Sequence, residues 1–256
     1  MNTIAISHPG KIGDALYTLP IIRFFCAEWD ATAHFYTSEY CKPMTRLMEY
    51  QSCISHVIIP PSYRILRMDV GVQPWQMPID VSKYNRVVHL GFRGAPGEYL
   101  PVYMAKQCGA LLSKLPRVYY EYPEINTLDD PYFCLAPRGE TTYKELFRSV
   151  IINSPVAVAI IGGPHDNITM AERTIYNKPI VNLAGLDMLE TVSWLSKCVG
   201  FVGLMSAMLV LANGFDMPKV VPHDNRHWDL RHVLKTPSHK YLILPTVPQI
   251  MEGLEL

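Results

Sequence analysis

The chain has 256 residues, of which 49% are hydrophobic and 18% charged, and its formal net charge is zero. This composition is that of a globular protein with one large or two small domains, and it excludes a disordered chain. A net charge of zero gives the protein no general attraction to nucleic acid or to anionic membranes.

No apolar run approaches the ~20 residues that a membrane-spanning helix requires. The first residues lead directly into a strand pattern, which does not resemble a signal peptide. The cysteines are scattered and form no C-x-x-C pair: Cys26, Cys41, Cys53, Cys108, Cys134 and Cys198. We therefore predict a cytoplasmic protein with reduced thiols in its core.

Strand and helix patterns alternate along the first half of the chain, which favours a parallel sheet. The predicted strands are 3–7, 33–37, 56–60 and 86–90, and the predicted helices are 16–29, 43–50 and 99–112. Pro20 predicts that the first helix begins near Thr18 or is kinked. Residues 62–82 show no helical or strand periodicity. We interpret them either as a loop that binds an acceptor or as a surface loop that Trp75 anchors to the core.

A polar, turn-rich stretch at 121–130 predicts a linker, and the alternation then restarts. The predicted strands are 132–136, 156–161, 180–182, 200–203 and 219–221, with an apolar run at 241–244, and the predicted helices are 143–152, 171–176, 189–199, 206–213 and 247–254. We predict an α/β chain with two Rossmann-like domains, 1–125 and 131–240, and a closing strand and helix, 241–256. The carboxyl edges of their sheets are expected to face each other across a ligand cleft.

A glycine-punctuated motif follows the first predicted strand, S-H-P-G-K-I-G-D-A-L-Y-T-L-P over residues 7–20. Gly10 and Gly13 permit a tight turn and close approach of a ligand. The motif lacks the third glycine of a dinucleotide site, and Lys11 precedes the second glycine, unlike a phosphate loop. Asp14 has two interpretations, a helix N-cap or a general base at the mouth of a cleft.

Residues 11–20 resemble the opening motif of the bacterial heptosyltransferase-like glycosyltransferases, the family of the ADP-heptose:lipopolysaccharide heptosyltransferases. The resemblance implies the two-domain GT-B fold and implies that Asp14 deprotonates the acceptor hydroxyl. Residues 135–139, 160–166 and 182–190 are similar to donor-domain stretches of that family in the same order. The acceptor-side candidates are His8, Gly10, Lys11, Gly13 and Arg93, although Arg93 has the alternative of a solvated side chain.

The loops of the second half suit a nucleotide-diphosphate sugar, because helix N-termini attract phosphates. The candidate donor-binding residues are Arg138, Thr141, Thr142, Lys144, Gly162, Gly163, Pro164, Met205 and Ser206. Their alternatives are a helix cap for Thr141, a solvated side chain for Lys144 and a plain turn for Gly162 and Gly163.

Residues 203–210 depart from the family's Asp-Ser/Thr-Gly-x-x-His donor motif. Ser206 matches the hydroxyl position, whereas Met205, Ala207 and Val210 replace the Asp, the Gly and the His. A methionine cannot accept a hydrogen bond from a sugar hydroxyl as a carboxylate does, so ADP-heptose is not fixed as the donor.

The polar segment 222–229 contains His223, Asp224 and His227, and we interpret it as a cleft-lining or structural loop, because three such residues without a fourth ligand are weak evidence for a metal. No Asp-x-Asp sequence occurs. We therefore expect a metal-independent enzyme without a cofactor, with a nucleotide-diphosphate sugar as co-substrate.

The expected function is a GT-B glycosyltransferase that inverts the anomeric centre, as the resemblance implies, and acts on a surface glycan. One alternative is a phage-type glycosyltransferase for hydroxymethylated DNA bases, against which the neutral charge argues. The other is a degenerate nucleotide-sugar-binding protein, which the altered donor motif favours and the retained Asp14 opposes. The sugar, the nucleobase and the oligomeric state stay open.

Overall fold

The computed structural model describes residues 2–61, 77–91, 98–111, 113, 117–137, 143–166, 179–223, 239–243 and 246–255. The described part divides into two units between Tyr122 and Pro123, inside the stretch 121–130. Each unit is built around one parallel sheet. Within these ranges, no helix has the length and apolar character needed to cross a bilayer.

The sheet of the first unit has the strand order β3-β2-β1-β4, and all of its pairings are parallel. Its strands are β1 (Asn2–His8), β2 (Ala31–Thr37), β3 (Ile54–Ile58) and β4 (Val87–His89). Its helices are α1 (Ile12–Leu16), α2 (Leu19–Glu28), α3 (Thr45–Glu49) and α4 (Leu100–Cys108), with short 3-10 segments at Glu39–Met44 and Val81–Lys83.

The single helix predicted over 16–29 is two helices in the structure. Thr18 is the N-cap of α2, and Pro20 lies in its first turn. Proline is tolerated there because an N–H at that position has no helical partner. The expectation that the helix begins near Thr18 is therefore confirmed.

The central strand β1 is covered on both faces, because its last five residues are all buried. Leu47 and Met48 of α3 are fully buried. Of the long predicted loop, the described part begins at residue 77, and Met77 packs with Ala5 and Tyr36 on the sheet. Arg64, Arg67 and Trp75 lie outside the described residues.

The sheet of the second unit has the order β10-β9-β8-β5-β6-β7 and is also parallel throughout. Its strands are β5 (Tyr132–Ala136), β6 (Ala157–Ile160), β7 (Ile180–Asn182), β8 (Gly200–Gly203), β9 (Lys219–His223) and β10 (His239–Ile243). Its helices are α5 (Lys144–Asn153), α6 (Met188–Leu195), α7 (Ala207–Ala212) and α8 (Val247–Gly253), with a 3-10 segment at Pro164–Asp166. The helix predicted near 171–176 lies outside the described residues.

The core of the second unit explains its apolar strands. Every residue of β5 and β6 is buried, as expected for strands covered on both faces. Ile250 and Leu254, at the end of the described chain, join the same core. Gly203 is required by close packing, because a Cβ there would stand 2.7 Å from the Phe201 ring and 2.9 Å from the Cβ of Ala136.

Each sheet contains one point where the strand order reverses. In the first unit the chain runs β1, β2, β3 in one direction and then places β4 on the other side of β1. In the second unit it runs β5, β6, β7 and then places β8 on the other side of β5. Open α/β sheets bind ligands outside the carboxyl ends of the strands at such points. The pairs β1/β4 and β5/β8 therefore locate the candidate sites.

Candidate active site

Asp14 lies in the first turn of α1, which follows the carboxyl end of β1 at the reversal point of the first sheet. The N-cap of this helix is Lys11 and not Asp14, so the N-cap interpretation of Asp14 is wrong. Lys11 favours the ionised form of the Asp14 carboxyl and so lowers its pKa. The Asp14 side chain remains partly exposed.

The electrostatic environment of Asp14 suits a general base. Burial raises the pKa of its carboxyl to about 6, and the hydrogen bond from the Lys11 N–H and the positive charge of Lys11 partly oppose this rise. At pH 7 such a carboxyl is mostly ionised, yet it binds a proton more strongly than an ordinary aspartate. Proton transfer is most efficient when the catalytic pKa lies near the working pH.

The raised pKa of Asp14 gives a prediction for stability. The folded pKa of about 6 lies above the reference value of 3.8, so the ionised carboxylate destabilises the fold above pH 6 and has no effect below pH 3.8. Asp14→Asn removes the charge and keeps the size of the side chain. We expect the variant to be more stable than the wild type at pH 7–8 by up to ~3 kcal/mol, at about 1.36 kcal/mol per pKa unit, and equal to it near pH 4.

Urea unfolding between pH 4 and pH 8 measures this difference. Asp80→Asn is the matched control, because hydrogen bonds from Ser82 lower the pKa of Asp80 and give its charge the opposite effect. A stability difference between wild type and Asp14→Asn that does not grow from pH 4 to pH 8 contradicts the prediction.

The turn between β1 and α1 is held by buried side chains. The N–H of Gly10 donates to His8 Nδ1 at 3.1 Å. Its carbonyl accepts from Ser38 Oγ at 3.1 Å and from Cys41 Sγ at 3.3 Å. His8 is 0% exposed, and burial lowers its pKa to about 3, so the imidazole is neutral with its proton on Nε2. His8 and Gly10 are both buried and shape this turn, and their contact with an acceptor stays a prediction.

Lys11 and Gly13 are the members of the predicted acceptor side that are not buried. Lys11 is exposed and Gly13 is partly buried. Both lie close to Asp14 in sequence. The structure therefore places Lys11, Gly13 and Asp14 together at the start of α1. Arg93 lies outside the described residues and stays a prediction.

The ends of β1 and β4 add two residues, Ser7 and His89, that the sequence analysis did not name as site candidates. Ser7 Oγ and His89 Nδ1 are 2.8 Å apart, and the N–H of Leu90 donates to the carbonyl of Ser7 at 2.8 Å. These bonds join β1 to β4 at the reversal point. Burial lowers the pKa of His89, so this imidazole is also neutral at pH 7. No local pattern marks the pairing of Ser7 with His89, because it depends on the strand order.

On the donor side, Gly162 and Gly163 form a tight turn at the end of β6. Gly162 has φ +140°, which favours glycine, and a Cβ there would collide with the Asp166 side chain. The N–H of Gly163 donates to Asp166 Oδ2 at 2.8 Å. The N–H of Gly185 donates to the carbonyl of Gly162 at 2.9 Å, which ties this turn to the loop after β7. Pro164 begins the 3-10 segment that closes the turn.

Met205 and Ser206 lie at the reversal point of the second sheet, between β8 and α7. Ser206 occupies the N-cap position of α7 but makes no cap hydrogen bond, and its buried Oγ has no hydrogen-bond partner among the described residues. β5 separates β8 from β6, so the ends of these two strands are about 10 Å apart at ordinary strand spacing. The glycine turn and Ser206 therefore share one edge of the sheet.

The third donor candidate region is described only in part. Lys144 is the first residue of α5 and is exposed, and the N-cap of this helix is Tyr143. Arg138, Thr141 and Thr142 lie outside the described residues and stay predictions.

No described group of three or more His, Cys, Asp or Glu side chains is placed to hold a metal ion. Of the polar segment 222–229, Asp224 and His227 lie outside the described residues. All six cysteines are free, and four of them are buried: Cys26, Cys41, Cys134 and Cys198.

Comparisons with known proteins agree with this geometry. No family model and no curated protein matches the chain. A glycosyl transferase family 9 structure from Veillonella parvula matches with TM-score 0.66 and 12% identity over 99% of this chain and 89% of that one. E. coli heptosyltransferase WaaC with ADP matches with TM-score 0.66 and 13% identity over 99% of both chains. E. coli ADP-heptose LPS heptosyltransferase II matches with TM-score 0.62 and 14% identity over 100% of this chain and 98% of that one.

At such low identity these matches show the fold. The chain has the α/β GT-B fold of the heptosyltransferase structures, which confirms the fold that the opening motif implies. None of these three neighbours is named for a DNA acceptor, so they lend that alternative no support.

Proposed function

We propose that the protein is a glycosyltransferase that moves a sugar from a nucleotide-diphosphate sugar to a hydroxyl acceptor. The observation that carries the proposal is Asp14, a partly exposed carboxylate with a pKa of about 6 at the reversal point of the first sheet. The GT-B fold supports it, since the solved neighbours with this fold are named as glycosyltransferases and heptosyltransferases.

In the proposed reaction the acceptor hydroxyl loses its proton to Asp14 as its oxygen attacks the anomeric carbon. The bond from that carbon to the diphosphate oxygen breaks, and the nucleoside diphosphate leaves with the electron pair. Attack on the face opposite the diphosphate inverts the anomeric centre. The Lys11 N–H and ammonium keep Asp14 ionised before the transfer, because both favour its charged form.

The donor is proposed to lie against the second sheet, outside the ends of β5, β6 and β8. The Lys144 ammonium supplies positive charge for the leaving diphosphate, which is the electrostatic role that a metal ion fills in other transferases. Ser206 Oγ supplies a hydroxyl without a protein partner in the described residues. Met205 replaces the aspartate of the family motif. We therefore propose a donor sugar whose hydroxyls do not need a carboxylate at this position to accept a hydrogen bond. The proposed acceptor is a surface glycan.

The proposal is tested by incubating the protein with ADP-, GDP-, UDP- and dTDP-sugars in the presence of EDTA and measuring release of the nucleoside diphosphate. We expect release from at least one donor, and stabilisation of the fold by the matching diphosphate of about 2.7 kcal/mol at a hundredfold excess over Kd. Stabilisation without release, with or without glycan acceptors, supports the binding-protein alternative. Absence of both effects for every donor rejects the proposed function.

A further inference from the structure

Tyr40 is 62% exposed, more than any other Phe, Trp or Tyr side chain in the described part of the chain. Other tyrosines of the first unit have partners: the hydroxyls of Tyr36 and Tyr84 bond to each other at 2.7 Å, and the Arg23 guanidinium covers the ring of Tyr119. Tyr40 makes no hydrogen bond or ring contact with the described residues. The face of its ring and its hydroxyl are therefore both available to a ligand.

The segment that carries Tyr40 is fastened to the turn between β1 and α1. Tyr40 lies in the 3-10 segment Glu39–Met44. Two side chains that flank it in sequence reach the carbonyl of Gly10 in that turn, Ser38 Oγ at 3.1 Å and Cys41 Sγ at 3.3 Å. Tyr40 is thereby held beside the turn that leads into α1.

The strand register puts Tyr40 at the same edge of the sheet as Asp14. His8 at the end of β1 pairs with Thr37 at the end of β2, and Thr37 Oγ1 donates to the carbonyl of His8 at 3.0 Å. Both strands therefore end at one level, and Asp14 follows the first of them while Tyr40 follows the second. The 3-10 segment also contacts α1, the helix that carries Asp14.

The backbone around Tyr40 is rigidly held although its side chain is exposed. Ser38, Cys41 and Met44 are all 0% exposed, and the N–H of Cys41 donates to the carbonyl of Ser38 at 2.9 Å. Pro43 fixes one backbone angle inside the segment. A ring presented from such a backbone loses little conformational entropy when a ligand binds.

The charged neighbours of Tyr40 favour a neutral ligand with many hydroxyl groups. Glu39 and Lys42 are both exposed, and neither forms an ion pair with the described residues. A carboxylate accepts hydrogen bonds from hydroxyls and an ammonium donates to them, so a sugar can use both. For a phosphate the two charges act against each other, which makes a nucleotide the poorer fit.

We propose that Tyr40 is the stacking platform for a pyranose ring of the acceptor, with Glu39 and Lys42 binding the hydroxyls of the same sugar. The inference rests on the proposed function, because it places an acceptor subsite next to Asp14. One face of a pyranose ring consists of C–H bonds with partly positive hydrogens, and the face of an aromatic ring is negative. Stacking also removes apolar surface from water. The acceptor is then an oligosaccharide, with one ring at Asp14 and another on Tyr40.

The test is saturation-transfer-difference NMR of the full chain with maltotriose, cellotriose and mannotriose, without any sugar donor. We expect transfer from the protein to the C–H hydrogens of at least one trisaccharide. Tyr40→Ala should raise the Kd of that trisaccharide about threefold to tenfold, which is the range that an aromatic stacking contact contributes. Tyr40→Phe keeps the ring and should bind nearly as tightly as the wild type.

Tyr50→Ala is the matched control, because Tyr50 is a 45% exposed tyrosine of the same unit, at the end of α3. It should bind the trisaccharide as the wild type does. The NMR experiment needs no turnover, so a protein that releases no nucleotide fails the proposed function while sugar binding at Tyr40 is still decided. The inference is overturned if no trisaccharide binds the wild type, if Tyr40→Ala binds equally well, or if Tyr40→Ala weakens binding of ADP instead.

In a protein that does transfer sugar, the same variant separates binding from chemistry. Tyr40→Ala should raise KM for the oligosaccharide acceptor about threefold to tenfold and leave kcat and KM for the donor nearly unchanged, because Tyr40 does not touch the reacting atoms. A fall in kcat with an unchanged acceptor KM contradicts the stacking role.

Discussion

Asp14→Asn is expected to lower turnover by roughly 10²-fold or more, while the fold and nucleotide binding persist. The amide cannot take the proton of the acceptor hydroxyl, so the attacking oxygen must lose it to water. The Asn side chain keeps the size and shape of the carboxylate. The measurement is kcat with the donor found by nucleotide release, together with the stabilisation that the matching nucleoside diphosphate gives.

Two controls make this result specific. Asp30→Asn makes the same change at an exposed carboxylate of the first unit, where φ +47° suits asparagine, and it should leave kcat unchanged. Asp14→Asn is also predicted to be more stable than the wild type at pH 7–8. A variant that loses turnover while gaining stability has not lost activity by unfolding. Full activity in Asp14→Asn removes this residue from the mechanism.

Arg23→Ala is expected to lower the free energy of unfolding by about 3 kcal/mol. Arg23 is 7% exposed, although it is charged and lies within α2. Its guanidinium donates to the carbonyl of Tyr119 and to Gln51 Oε1, each at 2.7 Å, and stands 3.4 Å from the centre of the Tyr119 ring. It also lies 3.7 Å from Glu121 Oε1. The side chain therefore fastens the last described segment of the first unit to α2.

Urea unfolding at pH 7 measures this loss. Arg23→Met restores the packing of the aliphatic stem without the charge, so it should recover part of the stability and separate the two contributions. Arg148→Ala is the control, because Arg148 pairs with Glu145 at 2.7 Å on the surface, where the carboxylate side chain is 81% exposed. That loss should be at most about 0.5 kcal/mol. Equal losses for the two alanine variants contradict the prediction.

Local sequence determined most of the elements of this protein. Residues 132–136, 180–182 and 200–203 are predicted strands that coincide with β5, β7 and β8. Short apolar runs bounded by turn residues carry that information within a few positions. The opening motif determined the place of Asp14 after the first strand, and the GT-B fold it implies is the observed one. The candidates Arg93, Arg138, Thr141 and Thr142 rest on sequence alone.

The tertiary structure alone decided how Asp14 is held and how strongly it binds a proton. Ser38 and Gly10 are 28 residues apart in sequence, and Ser7 and His89 are 82 apart. Such pairs meet only because β2 and β4 lie on either side of β1. Periodicity reports which residues are buried, but it does not state the order of strands in a sheet. Burial of the carboxyl follows from that order, and this burial raises the pKa of Asp14 to about 6 against the opposing effect of Lys11.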